Sequence, residues 1–397
     1  MLQAESSSAN PMRGIAVVEM GHSVAAPYAG QILADLGATV VKIENPNGGD
    51  DARSWVPPSW QDSSSVFHTL NRNKYSACFD LKDEEGGRKV RELIAQADVV
   101  VQNLRPGLVE KYKLDAVTVR AANPRLIYCN LGAFGSVGPM RESTGYDPLV
   151  QAFCGIMSVT GEAGRPPVRV GPSIIDMGSG LWCVIGILAA MVRRQQTGEG
   201  CTVDTSLYET GIAWMNIPLA AAMASGRNPG KSGSETPMLA PYRAFKARDR
   251  YVVVAAGNDN LFRRLCAAVD RPDWATDARF LTNAQRVANR VVLNELLEEL
   301  IGSQPESFWT ERLTRVGVPC APLQASLEVV DHPQTQALGI MSSAAGSALR
   351  LVSSPLRFDG IRPGIKKEAP ALGADTEHAL ELFRARHLRD GAPGGSP

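Results

Sequence analysis

Residues 13–44 read RGIAVVEMGHSVAAPYAGQILADLGATVVKIE, and this stretch decides the fold. Arg13 to Glu19 is a short apolar run with β-branched residues, the pattern of a buried strand. Gly21 to Pro27 is turn-rich. Tyr28 to Leu36 carries apolar residues at helical spacing and stops at Gly37, a residue that ends helices because it tolerates left-handed backbone. Thr39 to Ile43 is a second β-branched strand. Strand, helix and strand in this order make a βαβ unit of the parallel α/β type.

The alternation continues outward. Ser76 to Leu81 reads as a strand, Asp83 to Ala97 as a charged amphipathic helix, and Val99 to Gln102 and Leu126 to Leu131 as strands. This supports a doubly wound, Rossmann-like parallel sheet over roughly the first 200 residues. A helix is expected over Leu181–Arg194 and an alanine-rich one over Thr210–Ala224. Ser225 to Ala240, rich in Gly, Ser and Pro, reads as a linker or mobile loop. Strands at Tyr242–Lys246 and Tyr251–Ala255 follow, with helices at Leu261–Val269, Val291–Gly302 and Glu306–Val316. They form a smaller α+β domain.

Composition narrows the function. The chain has 397 residues, long enough for two domains. Its 41 basic and 41 acidic residues cancel, which argues against nucleic acid or an anionic membrane as the main partner. The N-terminus lacks the basic start and apolar core of a signal peptide, and the apolar run Leu181–Val192 is too short to span a bilayer. A cytoplasmic protein is expected. Seven scattered cysteines without a Cys-x-x-Cys pair read as free thiols, and no metal-ligand spacing is present.

Several loops are placed for chemistry. His22–Pro27 follows the first strand, at the carboxyl end of a parallel sheet, where open α/β folds bind ligands. It is not a Gly-x-Gly-x-x-Gly loop, which disfavours a nicotinamide dehydrogenase. Asn71-Arg72-Asn73-Lys74 and Asn103-Leu104-Arg105-Pro106-Gly107, the latter followed by Lys111, are cationic, amide-rich loops. Together they would form a phosphate-binding rim; singly, each reads as a solvated loop. Asp147 before Pro148 reads as a helix N-cap. Asp176 stands before Gly178, Ser179 and Gly180 at a helix start. A helix N-terminus favours negative charge, and the N–H groups of those three residues could hold an oxyanion. Spacing alone nonetheless favours a capping role for Asp176 over a nucleophilic one.

Taken in order, these segments resemble the class III CoA-transferases, the CaiB–BaiF family. The carriers are His22–Pro27, Asp35–Glu44, Asn71–Lys74, Asn103–Gly107, Gly145-Tyr146-Asp147, the Asp176 segment with Gly186–Ala190, and Gly317–Pro322. The resemblance implies a large CoA-binding domain from residues 12–224 and 338–397, a small domain from 225–337 with a lid loop, flexible tails at 1–11 and 390–397, and an interlocked homodimer. It implies that Asp176 is the nucleophile in transfer of CoA from an acyl-CoA to a free carboxylic acid, through an aspartyl–acyl anhydride and an aspartyl-CoA thioester. No metal and no nucleotide triphosphate is needed for this. The resemblance places CoA contacts at Val24, Ala25, Asn45, Asn71, Lys74, Asn103, Leu104, Arg105, Lys111, Tyr146 and Asp147. Gly178 is implied near the oxyanion, and Gly257 and Asn258 in a loop covering the intermediate. That loop is less glycine-rich than in oxalate-using members, and the implied substrates are succinyl-CoA and a dicarboxylate of the glutarate type. A 2-methylacyl-CoA racemase shares the aspartate but needs a histidine where Tyr146 stands, and a phenol is a poor base at neutral pH. A non-catalytic acyl-CoA-binding protein would keep the CoA loops without needing Asp176.

Overall fold

A computed structural model describes residues 10–388. The expected tails lie outside these residues apart from 10 and 11. The chain divides into two compact units. Of the described residues, the first takes those up to Ile156, Arg169–Ala220 and those from Gln334; the second takes Met157–Val168 and Ala221–Pro333.

The first unit is built on β1 (Ala16–Met20), α1 (Ala25–Asp35), β2 (Thr39–Glu44), β3 (Tyr75–Cys78), α2 (Glu84–Ala95), β4 (Val99–Gln102) and β5 (Ile127–Gly132). It continues with α3 (Asp147–Phe153), α4 (Ile174–Thr197), β6 (Thr202–Ser206) and α5 (Leu207–Trp214). The strands form one six-stranded sheet in the order β3-β2-β1-β4-β5-β6, every pairing parallel. Strand order reverses between β1 and β4, which opens a crevice at their carboxyl ends.

Helix α1 starts at Ala25, three residues before its sequence signal. Pro27 falls in its first turn, where a missing N–H costs nothing. Helix α2 is capped by Asp83, whose side chain accepts from the Gly86 N–H, and turns Val90, Leu93 and Ile94 onto the sheet. The last helix described in this unit, Ala379–Leu388, lays Ala379 and Phe383 into that same core. Before it, Asp375 accepts from the Ser76 N–H at 2.9 Å and Thr376 from the Cys78 N–H at 3.0 Å, so the C-terminal segment seals the β3 edge.

Helix α4 differs most from expectation. It spans 24 residues, beginning at Ile174 rather than Leu181. By length and composition it could cross a bilayer, which corrects the reading of its apolar run as too short. Within the unit it lies against α1, β5 and β6, and Ile175, Cys183, Val184, Ile187 and Ala190 are buried.

In the second unit β8 (Tyr251–Ala255) pairs antiparallel with β7 (Tyr242–Lys246) on one side and β9 (Cys320–Pro322) on the other. After α6 (Asn216–Ser225), helices α7 (Asp259–Ala268), α8 (Arg290–Gly302) and α9 (Glu306–Arg315) pack a core of Phe245, Val252, Phe262, Leu265, Leu297 and Trp309. The segment 225–240 forms no helix or strand beyond Ser225, yet it is tied down. Glu235 within it accepts from Arg290 and Asn294 and pairs with Arg243.

Candidate active site

A cavity of about 820 Å³ opens in the first unit at the sheet's switch point. It is lined by the β1–α1 loop (His22, Ser23, Val24, Ala25), by Gln102 at the end of β4 and Asn103 to Gly107 after it, and by Asp147, Arg169, Ser173 and Asp176.

The β1–α1 loop is held from behind. Ser23 sits at φ 68°, a left-handed backbone that is costly for a non-glycine residue. Its N–H donates to Asp50 Oδ1 at 2.9 Å. Asn103 clamps the same loop: Oδ1 accepts from the His22 N–H and Nδ2 donates to the His22 carbonyl, both at 3.0 Å. Burial keeps the His22 imidazole below its usual pKa, outweighing the pull of Asp50.

Beneath the loop lies a fully buried ion cluster. Lys42 Nζ meets Glu19 and Asp50 at 2.9 Å each and donates to the Gly21 carbonyl at 2.6 Å. Lys74 Nζ meets Glu19 at 2.7 Å and donates to the Pro27 carbonyl and Asn71 Oδ1 at 2.8 Å. Burial alone would lower both ammonium groups. Around Lys42, Glu19, Asp50 and Glu44 overturn that and raise it. Lys74 has fewer carboxylates and Lys42 as a neighbour, and falls to about 8.

This corrects the expected phosphate rim. Asn71 and Lys74 have no exposed surface and do not line the cavity. Arg72 and Asn73 turn inward too, onto Asp35 at 2.7 Å. The run reads as a cationic surface loop because its charges are visible in sequence while their buried partners, Glu19 and Asp35, are distant. Asn45 and Lys111 are exposed but do not line the cavity. Val24, Ala25, Asn103, Leu104, Arg105, Tyr146 and Asp147 do.

The start of α4 is capped by Asp147 and not by Asp176. Asp147 does not cap its own helix; it lies in the first turn of α3, and its carboxylate reaches across to α4. Asp147 Oδ2 accepts from the N–H groups of Ile175 at 2.8 Å and Asp176 at 3.2 Å. Ile174 N–H donates to the Pro172 carbonyl and Met177 N–H to the Ser173 carbonyl. The first turn is therefore satisfied without the Asp176 side chain, which accepts no hydrogen bond from any described residue and faces the cavity. Burial, and after it the charge of Asp147, push its carboxyl up to about 7.

The same geometry corrects the role expected for Gly178, Ser179 and Gly180. Because the helix begins at Ile174, their N–H groups lie in its interior, where the i→i−4 ladder claims them. These glycines serve close packing instead. A Cβ on Gly180 would stand 2.7 Å from the Ala25 carbonyl oxygen, and one on Gly178 2.7 Å from Trp214 Nε1.

Gly257 and Asn258 lie in the second unit at the β8–α7 junction. Asn258 is the N-cap of α7, its side chain accepting from the Leu261 N–H at 2.8 Å. The buried Arg286 pins the junction by donating to Asp259 Oδ1 at 2.8 Å and to the Ala240 and Phe280 carbonyls.

Sequence reasoning missed Gln151 and Arg169. Gln151 is fully buried; its Nε2 donates to Asp147 Oδ1 at 2.6 Å and its Oε1 accepts from the Val170 N–H at 2.8 Å. Its position four residues after Asp147, on the same helix face, was the available signal. Arg169 sits in an irregular segment with no motif around it.

Comparison with known proteins gives a consistent picture. The model of CoA-transferase family III matches residues 12–376. A succinate–glutarate CoA-transferase of Agrobacterium fabrum is 35% identical over 94% of this chain and 95% of its own length. An acetyl-CoA:oxalate CoA-transferase of Acetobacter aceti is 36% identical over 90% and 92%. The crystal structure of a CAIB/BAIF family protein from Brucella suis superposes with a TM-score of 0.85 at 36% identity, covering 94% of this chain and all of that one.

Proposed function

Because this chain belongs to CoA-transferase family III, an enzyme family that moves CoA onto carboxylic acids, we propose that Asp176 is its nucleophile and that it exchanges CoA between succinyl-CoA and a dicarboxylate. The observation that carries this is the free Asp176 carboxylate. It is aimed into the switch-point cavity while Asp147 performs the capping that would otherwise occupy it.

The chemistry follows from these groups. An Asp176 oxygen attacks the thioester carbonyl carbon; the C–S bond breaks, CoA leaves as thiolate, and a mixed anhydride remains. The thiolate attacks the aspartyl carbonyl carbon, expelling the donor's carboxylate and leaving an aspartyl-CoA thioester. The acceptor carboxylate then attacks that thioester, displacing thiolate and forming a second anhydride. Thiolate attack on the acceptor's acyl carbon releases the new CoA ester and restores Asp176. Each step exchanges activated acyl groups, so the sequence needs no input of phosphoryl energy. Val24, Ala25, Asn103, Leu104 and Arg105 line the cavity and are assigned here to CoA, with Arg105 as the cation for a phosphate. Support for the dicarboxylate comes from the Agrobacterium relative's name.

The proposal includes a homodimer. Leu149, Phe153, Trp182, Ile185, Val192 and Trp214 leave a broad apolar surface on α3, α4 and α5, with Ile185 53% and Val192 57% exposed. A patch of this kind favours a protein partner, and a second copy fits the family resemblance.

The test is incubation with succinyl-CoA and a panel of carboxylates, followed by mass spectrometry of CoA esters and of the protein. Transfer to dicarboxylates with an adduct on Asp176 is expected. Transfer that survives Asp176→Ala refutes the nucleophile.

A further inference from the structure

Resting on the dicarboxylate reading above, we propose that Arg169 binds the remote carboxylate of the substrate, while the reacting end meets Asp176. Both residues line one cavity. That cavity is otherwise hostile to a diacid. Glu110, Glu142, Asp204 and Glu209 line it along with Asp147 and Asp176. A dianion entering it needs a cation not already spoken for.

Of the three arginines on its wall, Arg141 is paired with Glu142 at 3.1 Å. Arg105 stands after β4, beside the loop that receives CoA. Arg169 has no carboxylate partner among the described residues. Its Nη1 donates to the Val170 and Gly171 carbonyls at 3.2 and 2.6 Å, which fixes the guanidinium against its own backbone. Nη2 and Nε are left for a ligand, and a guanidinium edge matches a carboxylate in bidentate geometry.

Arg169 is also held in register with the nucleophile. One hydrogen-bond relay joins the backbone beside Arg169 to that of the nucleophile: the Val170 N–H donates to Gln151, Gln151 donates to Asp147, and Asp147 accepts from the N–H groups of Ile175 and Asp176. The two ends of the substrate are thus read by groups fixed to one frame. Among the described residues no ion pair links Arg169 to Asp176, which leaves both groups open to the two ends of a substrate.

The experiment compares glutarate with pentanoate as acceptors, and succinyl-CoA with butyryl-CoA as donors, in the wild type, Arg169→Ala and Arg169→Lys. Losing a charge-assisted contact should raise the glutarate KM about 10- to 100-fold in Arg169→Ala, with a smaller change in kcat. Pentanoate should change less than about twofold on the same reasoning. Arg169→Lys should recover part of the loss. A wild type that uses no dicarboxylate sinks the dicarboxylate reading and this proposal with it. A wild type that prefers dicarboxylates, with the preference intact in Arg169→Ala, sinks this proposal alone. A KM rise shared by both donors assigns Arg169 to CoA and overturns the proposal as well.

Discussion

Replacing Asp147 by Asn removes one charge beside the nucleophile and keeps a residue able to cap a helix. The Asp176 carboxyl stands at about 7 against an ordinary 3.8, raised first by burial and second by Asp147. The second contribution is therefore less than half of a rise of about three pH units, and the Asn variant should move the midpoint down by no more than about 1.5. In the wild type about one molecule in ten carries the carboxylate at pH 6 and nine in ten at pH 8, so kcat/KM should fall about tenfold between them. In Asp147→Asn the acid limb moves to lower pH, and the rate at pH 6, relative to the variant's own plateau, rises several-fold. The plateau itself should drop. One amide oxygen cannot serve both Gln151 and the two N–H groups of α4, and a lost hydrogen bond costs about 1 kcal/mol. The assay is a pH–rate profile from pH 5 to 9 at subsaturating donor. A flat wild-type profile refutes the raised Asp176, and a limb that stays in place in Asp147→Asn refutes Asp147 as a cause.

Three further outcomes follow from packing and charge. A carboxyl raised from 3.8 to about 7 contributes stability that is complete below its unfolded value and is lost as pH rises through 7. Asp176→Asn should therefore match the wild type in urea denaturation near pH 4 and exceed it at pH 8, by at most about 4 kcal/mol because the open cavity admits water; equal stabilities at pH 8 would contradict this. Gly180→Ala drives a Cβ into the Ala25 carbonyl at 2.7 Å and should cost about 1–3 kcal/mol and raise the donor KM, whereas Gly178→Ala meets the half-exposed Trp214 and should be milder. The reverse order of melting temperatures would show that α4 and α1 have slack. Lys74→Met leaves Glu19 with Lys42 alone and should cost on the order of 3 kcal/mol; a raised donor KM at unchanged stability would instead return Lys74 to the phosphate rim.

What the sequence discloses tracks how local each signal is. The parallel pairing of β1 with β2 is anticipated by residues 13–44, because β-branched runs and a glycine stop are signals within a few residues of what they determine, whereas the order of all six strands is not local and is not read from them. Asp176 is visible as a carboxylate near a helix start, but its freedom is not. That depends on Asp147, 29 residues earlier, crossing from another helix. The helix boundary was misplaced for a related reason. The sustained apolar run starts only at Leu181, whereas the helix begins at Ile174 and takes in Gly178 and Gly180, which pack closely against Trp214 and Ala25. Lys74 fails in the opposite sense: charge is local and legible, burial is not.

The placement of Asp147 has a consequence for the covalent steps. It fills the positive end of α4, so the N–H groups of that helix start are taken by Asp147 rather than by Asp176. Acylation neutralises Asp176 as protonation does, whether the product is an anhydride or a thioester. The same burial and like-charge repulsion that hold the carboxyl near 7 therefore favour the acylated enzyme over the free carboxylate, at no cost in the neutral state. An aspartyl intermediate should accumulate in the wild type when acceptor is withheld. It should be less populated in Asp147→Asn at pH 8, where both proteins are ionised and the variant lacks that repulsion. Intact-protein mass spectrometry after rapid acid quench measures the fraction. An equal or larger fraction in Asp147→Asn would mean that Asp147 acts on Asp176 through position alone.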